Sequence, residues 1–554
     1  MTETSYNITL LNSIKAELDK EFERIKPDLI ELSDYFMPRQ PRFLTKEKAK
    51  VRKSFKEIKD AVVLTCVRNF GAGMVTSCTN PATNWLYSKI KNYDLSFDDE
   101  VREWCDVVTE AENSVLSGSN FYENIPLVYQ QTGVFGFSNL YIEYDSENYI
   151  NTRVIPVGAY RYSKNYKGEV DTVIRTYSET ARNIVKQFGI DNVSEQIKND
   201  IENKHYNNVY EIIHYVGPNE DFMPDAIWAK NKKYVSIYYL STAKDKEFLS
   251  VSGYDYMPYV IFECECNDTD VYPSVCPGIN SLPDVKQLMK MVVDLAKGLK
   301  KMVSPTTQGS TNLKKGADID KPNVYVQTDD KTGAGIKTIY DVNPQILNAY
   351  QVVNQLKESI KESWLNDIFT IIMQTAGSQR TAYEVSELKE EKLSLLAPTL
   401  NQFQRGLKQV HDIIFSILQN YELIPQAPEQ VLGAEVVPEF ETSLTLARKA
   451  VKVGSIERTS TFIANIANAF GPAVMKKFDA LSAIDEYVQL SNTSAKFIRD
   501  NDEAIKMYQQ EVEQAQQQQQ QQQLMNALEQ GSKIYQNMGG ADAFGGELAD
   551  RLGQ

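Results

Sequence analysis

The amino-acid sequence predicts an α+β protein that is mainly helical and contains more than one domain. Over most of the chain, apolar residues recur every three or four positions, which is the spacing of amphipathic helices. Between residues 137 and 265, apolar and polar residues alternate instead, which indicates the strands of a largely antiparallel sheet. The 554 residues also exceed the roughly 250–300 over which a single hydrophobic core grows.

The first half of the chain, residues 1–280, is predicted to be the α+β domain. A helix pair over residues 7–36 opens it, with Pro27 restarting the helix. Further helices precede the strands, over residues 55–78, 98–116 and 121–134. Gly71 and Gly73 lie in the stretch GAGMVTS, which we interpret as a tight helix–turn because no complete phosphate-binding motif follows.

Residues 281–303 are predicted to form a helix with one basic face. Five lysines fall within roughly one third of its circumference, and they are Lys286, Lys290, Lys297, Lys300 and Lys301. The segment has five lysines against two aspartates, whereas the whole chain carries a net charge of −15. Two interpretations stay open: the lysines form a solvated helix face, or they form a row that faces a polyanion.

A protrusion punctuated by glycine and proline, residues 304–343, follows this helix. Alternation within NVYVQ and GIKTIY indicates short strands, so we expect a small β-containing protrusion. A second amphipathic helix over residues 344–366 begins at Pro344. The two helices therefore leave and return to the same region, with the protrusion at their far end.

A short loop within residues 367–380 and a long helix come next. The loop reads QTAGSQR, and its glycine and polar residues permit movement. Its candidate functional residues are Gln374, Thr375, Gly377, Ser378, Gln379 and Arg380. Thr381 and Glu384 have the spacing of a capping box, which opens residues 381–440, a long helix expected to kink at Pro398.

The last part of the chain, residues 441–554, is predicted to be helical with a flexible end. The expected helices cover residues 443–452, 455–470 and 478–500. Eight consecutive glutamines, residues 516–523, continue the helical register between apolar residues. Two interpretations are equally possible here: a disordered polar tail, or a helix that bundles with other copies of itself. We expect the glycine-rich end, residues 538–546, to be disordered.

The sequence carries no recognisable catalytic or metal-binding motif. GxSxG, HExxH and nucleotide-binding loops are missing, and the three histidines and six cysteines offer no paired zinc ligands. We therefore expect no enzymatic activity and no cofactor, and we interpret the cysteines as buried thiols and His411 as structural. No apolar run approaches the ~18 residues of a membrane span and no secretory signal is found, so we expect a cytoplasmic protein without a membrane partner.

Six features occur in an order that is specific in combination, although each is weak alone. They are LSDYFMPR, GAGMVTSCTNPATNWLYSK, YSETARNIVKQFG, RTAYEVSELKEEKLSLLAPTLNQFQRGLKQVHDIIFSIL, LARKAVKVGSIERTSTFIANIA and the glutamine-rich acidic C-terminus. In this order they resemble the portal, or head–tail connector, proteins of short-tailed phages. The resemblance covers essentially the whole chain.

The resemblance implies a portal fold and assigns a name to each region. These are an antiparallel-sheet wing (1–280), a helical stem (281–303 and 344–366), a small β clip (304–343), a tunnel loop (367–380), the long kinked helix returning to the wing (381–440), and a helical crown or barrel (441–554). The lysine row would be a candidate DNA-channel surface, and the candidate clip contacts would be Lys314, Lys315 and Lys321.

The resemblance also implies a location and a set of partners. Such a protein forms a dodecameric ring at one capsid vertex of the virion, is assembled in the host cytoplasm, and passes double-stranded DNA without reading its sequence. The implied partners are further copies of the chain, the terminase large subunit, the major capsid protein, the scaffold, and tail adaptor and nozzle proteins.

Two other functions stay open on sequence alone. One is a different structural virion oligomer, such as a scaffold or tail adaptor, which would not need a protrusion between paired helices. The other is an enzyme whose carboxylates come together from distant parts of the chain, which would bind a divalent metal tightly.

Overall fold

The computed structural model confirms a mainly helical α+β protein with antiparallel sheets. It describes residues 6–38, 57–91, 99–223, 228, 231–244, 247–267, 270–304, 307–310, 325–328, 337–338, 346–374, 382–431, 434–471, 477–491 and 501–537. The described helices are α1 (Ile8–Phe36), α2 (Val62–Cys78), α3 (Asp99–Gly118), α4 (Phe121–Phe135), α5 (Ala181–Phe188), α6 (Glu195–Glu202), α7 (Pro277–Val303), α8 (Ile346–Ser363), α9 (Asn366–Gln374), α10 (Ala382–Asn420), α11 (Ser443–Phe470), α12 (Ala480–Ser491) and α13 (Asn501–Asn537).

The strands between residues 137 and 265 follow the predicted alternation closely, whereas those at Leu86–Ile90 and Thr307–Ser310 were not predicted. They are β1 (Leu86–Ile90), β2 (Phe137–Asp145), β3 (Tyr149–Ile155), β4 (Tyr160–Lys164), β5 (Val170–Thr180), β6 (Val209–Pro218), β7 (Tyr234–Leu240), β8 (Phe248–Tyr254), β9 (Tyr259–Glu263), β10 (Thr307–Ser310), β11 (Tyr325–Thr328), β12 (Lys337–Thr338) and β13 (Val436–Phe440). The chain divides into two compact units, Met1–Val451 and Lys452–Gln554.

The strands between residues 137 and 265 form two antiparallel sheets where the sequence predicted one meander. The larger sheet has the order β4-β5-β6-β7-β8, and the smaller has the order β3-β2-β9. Helix α4 leads directly into the central strand β2 through Gly136, whose φ of +84° suits a residue without a Cβ. This junction stacks the buried helix α4 against the smaller sheet.

A third pairing joins two distant parts of the chain. Strand β1 pairs antiparallel with β13, which places Leu86 opposite Phe440. Trp85, at the start of this ribbon, lies between the rings of Phe121 and Phe440 and donates a hydrogen bond from Nε1 to Tyr122 Oη at 2.9 Å. The chain after the long helix α10 therefore returns to the wing.

Residues 8–36 form one continuous helix, so the predicted pair of helices is wrong. Pro27 lies inside α1. Phe22 and Leu29 are buried on either side of the proline, and this packing outweighs the loss of one backbone hydrogen bond. The helix begins at Asn7, whose side chain accepts a hydrogen bond from Leu10 N at 2.7 Å.

The second unit contains most of α11 and the whole of α12 and α13. Helix α11 is continuous over 28 residues, where two shorter helices were predicted. Helix α13 contains the glutamines 516–523, so the predicted continuous helical register is confirmed. Large apolar side chains on α13 are exposed, among them Tyr508 and Leu524. The glycine-rich end, residues 538–546, lies outside the described residues.

None of the helices described here is both long and apolar enough to cross a membrane.

Candidate nucleic-acid interface

The lysine-bearing helix α7 begins at a well-defined cap. Cys276 is its N-cap and its Sγ accepts a hydrogen bond from Ile279 N at 3.4 Å, while Pro277 occupies the first helical position. The 27 residues of α7 extend about 40 Å at 1.5 Å per residue. Lys300 and Lys301 lie in the last turn, where positive charge stabilises the helix dipole.

Helix α8 runs back beside α7, as the sequence predicted. Near the start of α7, Ser281 Oγ accepts a hydrogen bond from Trp364 Nε1 at 2.9 Å, just beyond the end of α8. One turn further along, Ser359 Oγ donates to Asp284 Oδ2 at 2.8 Å. The two helices are therefore antiparallel, and strands β10–β12 lie between them in the chain.

The five lysines do not share one environment. Lys286, closest to the wing, makes an ion pair with Glu31 of α1. Lys290, Lys297 and Lys300 are exposed, and Lys297 lies 3.7 Å from Asp294 in a solvent-accessible pair of small expected strength. Lys286 thus joins the stem to the wing, whereas the exposed lysines further along α7 present positive charge to solvent.

The apolar face of the helix pair is buried only near the wing. Leu288 is fully buried, while Leu299 is 45% exposed and Val303 is 84% exposed. Tyr350 and Val352 of the neighbouring helix α8 are also exposed. Water therefore covers an apolar surface at the end of the stem that lies away from the wing.

An aromatic cluster fixes the wing end of the stem. Trp364 is fully buried, and its ring centroid lies 5.6 Å from that of Phe70 in an edge-to-face arrangement. The ring of Phe369 contacts the Phe70 ring in the same arrangement, with the centroids 5.8 Å apart. Gly73 makes room for Phe369, because a Cβ at this position would overlap its ring. The predicted turn at Gly71 and Gly73 is therefore wrong: both belong to helix α2 and allow close packing.

The stem turns sharply after Trp364. Leu365 has a φ of +54°, which ends α8, and helix α9 starts at the next residue. Asn69 of α2 donates from Nδ2 to Asn366 Oδ1 at 2.8 Å and holds the beginning of α9. The residues that precede the predicted loop QTAGSQR are thus helical.

Gln374, predicted in that loop, is the last residue of α9. The other loop candidates lie outside the described residues, and they are Thr375, Gly377, Ser378, Gln379 and Arg380. Thr381 also lies outside them, so the hydrogen bonds of the predicted capping box are not described, although Glu384 is in the first turn of α10. The clip lysines Lys314, Lys315 and Lys321 are outside the described residues as well.

The long helix α10 spans 39 residues and contains Pro398. It buries Leu400, Phe403 and Leu407 in the main core. His411 on the same helix is also buried, which agrees with the structural role expected for it. The helix thus connects the segment after α9 to the interior of the wing.

The cysteines lie mostly in the interior of the protein. All six cysteines are free thiols, and five of them are buried. Burial raises the pKa of Cys66 to about 11 and that of Cys78 to about 12, so these thiols stay protonated and unreactive at neutral pH. Within the described part of the chain, no three histidine, cysteine or acidic side chains are grouped to hold a metal ion.

Comparison with known proteins identifies the family. The chain is 29% identical over 502 residues to the portal protein of Salmonella phage epsilon15, covering 90% of each chain. It is 26% identical over 530 residues to a probable portal protein of Bordetella phage BPP-1, covering 95% of each chain. Residues 9–498 match the family model of bacteriophage head-to-tail connecting proteins. This match extends over most of the chain, and the protein therefore belongs to the bacteriophage head-to-tail connecting protein family.

Proposed function

We propose that this chain is the subunit of a closed portal ring at one vertex of a phage capsid, through which duplex DNA enters and leaves. The observation that carries the proposal is the α7–α8 stem, which has exposed lysines on one helix and exposed apolar side chains at its far end. The similarity of the chain to two phage proteins that are named as a portal protein and a probable portal protein also supports the proposal. A dodecameric ring is the assembly that the family resemblance implies.

The exposed apolar side chains support contact between neighbouring copies. Leu299, Met302 and Val303 on α7 and Tyr350 and Val352 on α8 leave apolar surface exposed in the single chain. Soluble proteins seldom expose such groups together unless another molecule covers them. A ring in which the stem of one copy packs against the next would remove this surface from water.

The charge distribution fits a channel along which DNA slides. The chain has a net charge of −15, so its charge as a whole repels phosphate. Lys290, Lys297 and Lys300 are exposed exceptions on one helix, and a ring repeats them in every subunit. Such contacts steady the phosphate backbone without reading bases. Lys301 extends the same face, whereas Lys286 is engaged with Glu31 and is the weakest candidate of the five.

The remaining parts of the proposal concern partners. The clip would bind the terminase large subunit during packaging and tail adaptor and nozzle proteins afterwards, while the wing would face the major capsid protein and the scaffold. The tunnel-loop segment, residues 367–380, would lie along the DNA path, and its part up to Gln374 belongs to α9. The protein would have a structural role and would catalyse no reaction. It would be assembled in the host cytoplasm and would then be part of the virion.

The first test is the shape and mass of the purified full-length protein. Native mass spectrometry and electron microscopy should show a ring of about a dozen copies with a hole wider than the duplex, about 20 Å across. A solid oligomer without a hole would contradict the proposal and favour a scaffold or tail adaptor. A monomer should convert to rings when coat and scaffold proteins are added, and failure to do so would also contradict it.

A second test addresses the lysines. Lys290→Glu combined with Lys297→Glu should form normal rings but package less DNA, with the larger deficit at low salt, where charge interactions are least screened. The matched control is Lys233→Glu with Lys244→Glu, which makes the same charge change at exposed positions on the wing. If the stem variant packages DNA as well as the control does, the lysines are a solvated face and not a DNA surface.

A further inference from the structure

Three polar side chains from distant parts of the chain meet inside the first unit. Ser88 on β1, Glu112 on α3 and His411 on α10 are each at most 2% exposed. Ser88 Oγ donates to Glu112 Oε2 at 2.6 Å and lies 3.2 Å from His411 Nε2. His411 Nε2 is 3.4 Å from Glu112 Oε1. The group connects the long helix α10 with one helix and one strand of the wing.

A buried carboxyl group is costly unless a partner or a proton neutralises it. Burial raises the pKa of Glu112 to about 7, and this outweighs the opposing effects of His411 and the Ser88 hydroxyl. Glu112 Oε1 makes no hydrogen bond, although it lies 3.4 Å from His411 Nε2. The carboxyl group therefore changes its charge within the neutral pH range.

The other charged groups near the cluster do not replace His411. The carboxylate of Asp412 lies 3.0 Å from His411 Nδ1, and its side chain is half exposed. Cys105 on α3 interacts electrostatically with Glu112, and the charged groups near this thiol are Asp106 on α3 and Lys89 on β1. Lys89 is itself paired with Glu439. Among the described residues, His411 is the basic side chain within ion-pairing distance of Glu112.

We propose that Ser88, Glu112 and His411 form a proton-dependent latch that holds the wing end of α10 against α3 and β1. A proton on the Glu112 carboxyl group removes the charge of that group from the buried site. When that proton passes to solvent, a carboxylate is left in the interior. The contact between α10 and the wing is then weakened.

The position of the latch gives it a mechanical consequence. Helix α10 starts at Ala382, directly after the candidate tunnel loop, and His411 lies near its other end. A weaker contact at Glu112 would therefore affect the C-terminal half of α10. The inference does not require ring formation or DNA binding, so it stands or falls separately from the proposed function.

The direction of the pH dependence follows from the raised pKa of Glu112. A group whose pKa is higher in the folded state contributes stability below its unfolded value, here 4.5, and loses that contribution as the pH rises through about 7. Between pH 5 and pH 8, we expect the folding equilibrium constant of the wild type to fall about tenfold or more relative to a variant that cannot ionise at this site.

The test compares full-length wild type with Glu112→Gln by urea unfolding at pH 5 and pH 8. Glutamine keeps the shape of the side chain and stays uncharged, so Glu112→Gln should lack the extra loss of stability at pH 8. Glu110→Gln is the matched control, since Glu110 is exposed on the same helix, and it should follow the wild type. If Glu112→Gln shows the same pH dependence as Glu110→Gln, the latch is refuted.

A measurement on the wild type covers the case in which Glu112→Gln fails to fold. Hydrogen exchange, corrected for the intrinsic effect of pH, should show α3 and the C-terminal half of α10 losing protection between pH 6 and pH 8, while the buried helix α4 keeps it. Equal behaviour of α4 and α10 would overturn the proposal.

Discussion

Trp364 gives the sharpest test of how the stem is held on the wing. The side chain is fully buried, its ring packs against Phe36 and Phe70, and its Nε1 donates to Ser281 Oγ at 2.9 Å. Replacing it with alanine removes this packing and leaves a cavity between α2, α7 and α8. Buried tryptophan or phenylalanine to alanine changes cost about 3–5 kcal/mol, so we expect a loss in this range.

A second variant separates the packing from the hydrogen bond. Trp364→Phe keeps an aromatic ring but loses the donor, and we expect it to cost about 1–2 kcal/mol. The Ser281 hydroxyl retains its own hydrogen bond to Pro277 O at 2.6 Å, which limits the cost of losing the indole. The order of stability should therefore be wild type, then phenylalanine, then alanine.

The measurement is urea-induced unfolding of the full-length protein, with hydrogen exchange to locate the change. Exchange should increase in α2, α8 and α9, which meet at this cluster. Trp228→Ala is the control, because Trp228 is 79% exposed and its loss should change stability by less than about 0.5 kcal/mol. If Trp364→Ala is no more destabilising than Trp228→Ala, the aromatic cluster does not hold the stem.

Three further predictions concern other parts of the first and second units. Gly278→Ala should be strongly destabilising in urea unfolding because its Cβ would collide with the backbone of Val134, whereas Gly298→Ala on the same helix has open space and should stabilise by about 0.5–1 kcal/mol; equal effects would contradict the close approach. Asp60 Oδ2 lies 2.7 Å from Lys357 Nζ. Burial raises the pKa of Asp60, but its hydrogen bonds with Lys357 and a backbone N–H outweigh that effect and lower the pKa below 3.8. The pair therefore stabilises the fold above pH 3.8, and this contribution is lost as the pH falls below that value. Lys357→Met should therefore destabilise the protein at pH 7 by no more than about 1 kcal/mol, and the difference from wild type in thermal unfolding should shrink in acid; a difference that grows in acid would refute the pairing. Deleting residues 501–554 should leave the urea midpoint of residues 1–451 unchanged, since these belong to separate compact units, and a shifted midpoint would show that they stabilise each other.

Much of the fold could be predicted because local patterns carry it. The alternation of apolar and polar residues located β2 to β9 within a few residues, and the three-to-four spacing located α7, α8 and α10. Local patterns failed where packing overrode local preference. Pro27 lies inside α1, and Gly71 and Gly73 lie inside α2, because buried neighbours such as Phe22 and Phe369 compensate for their poor helix propensity.

The sequence predicted which lysines share one face of the helix, but it did not predict what each lysine contacts. Spacing alone placed the five lysines on one face of α7. It gave no indication that Lys286 would pair with Glu31, because that contact joins residues more than two hundred positions apart. The acidic residues of α1, which include Glu31 and Asp34, were the feature of the sequence that could have indicated a partner for Lys286.

The class of fold, the paired stem helices and the family resemblance could be predicted from the residues alone, because helical and strand periods and the order of segments are local properties of the chain. Which polar groups share a buried site depends instead on how distant segments pack. Ser88, Glu112 and His411 lie far apart in the sequence. Folding removes all three from water and brings them within 3.4 Å of one another, and burial raises the pKa of Glu112.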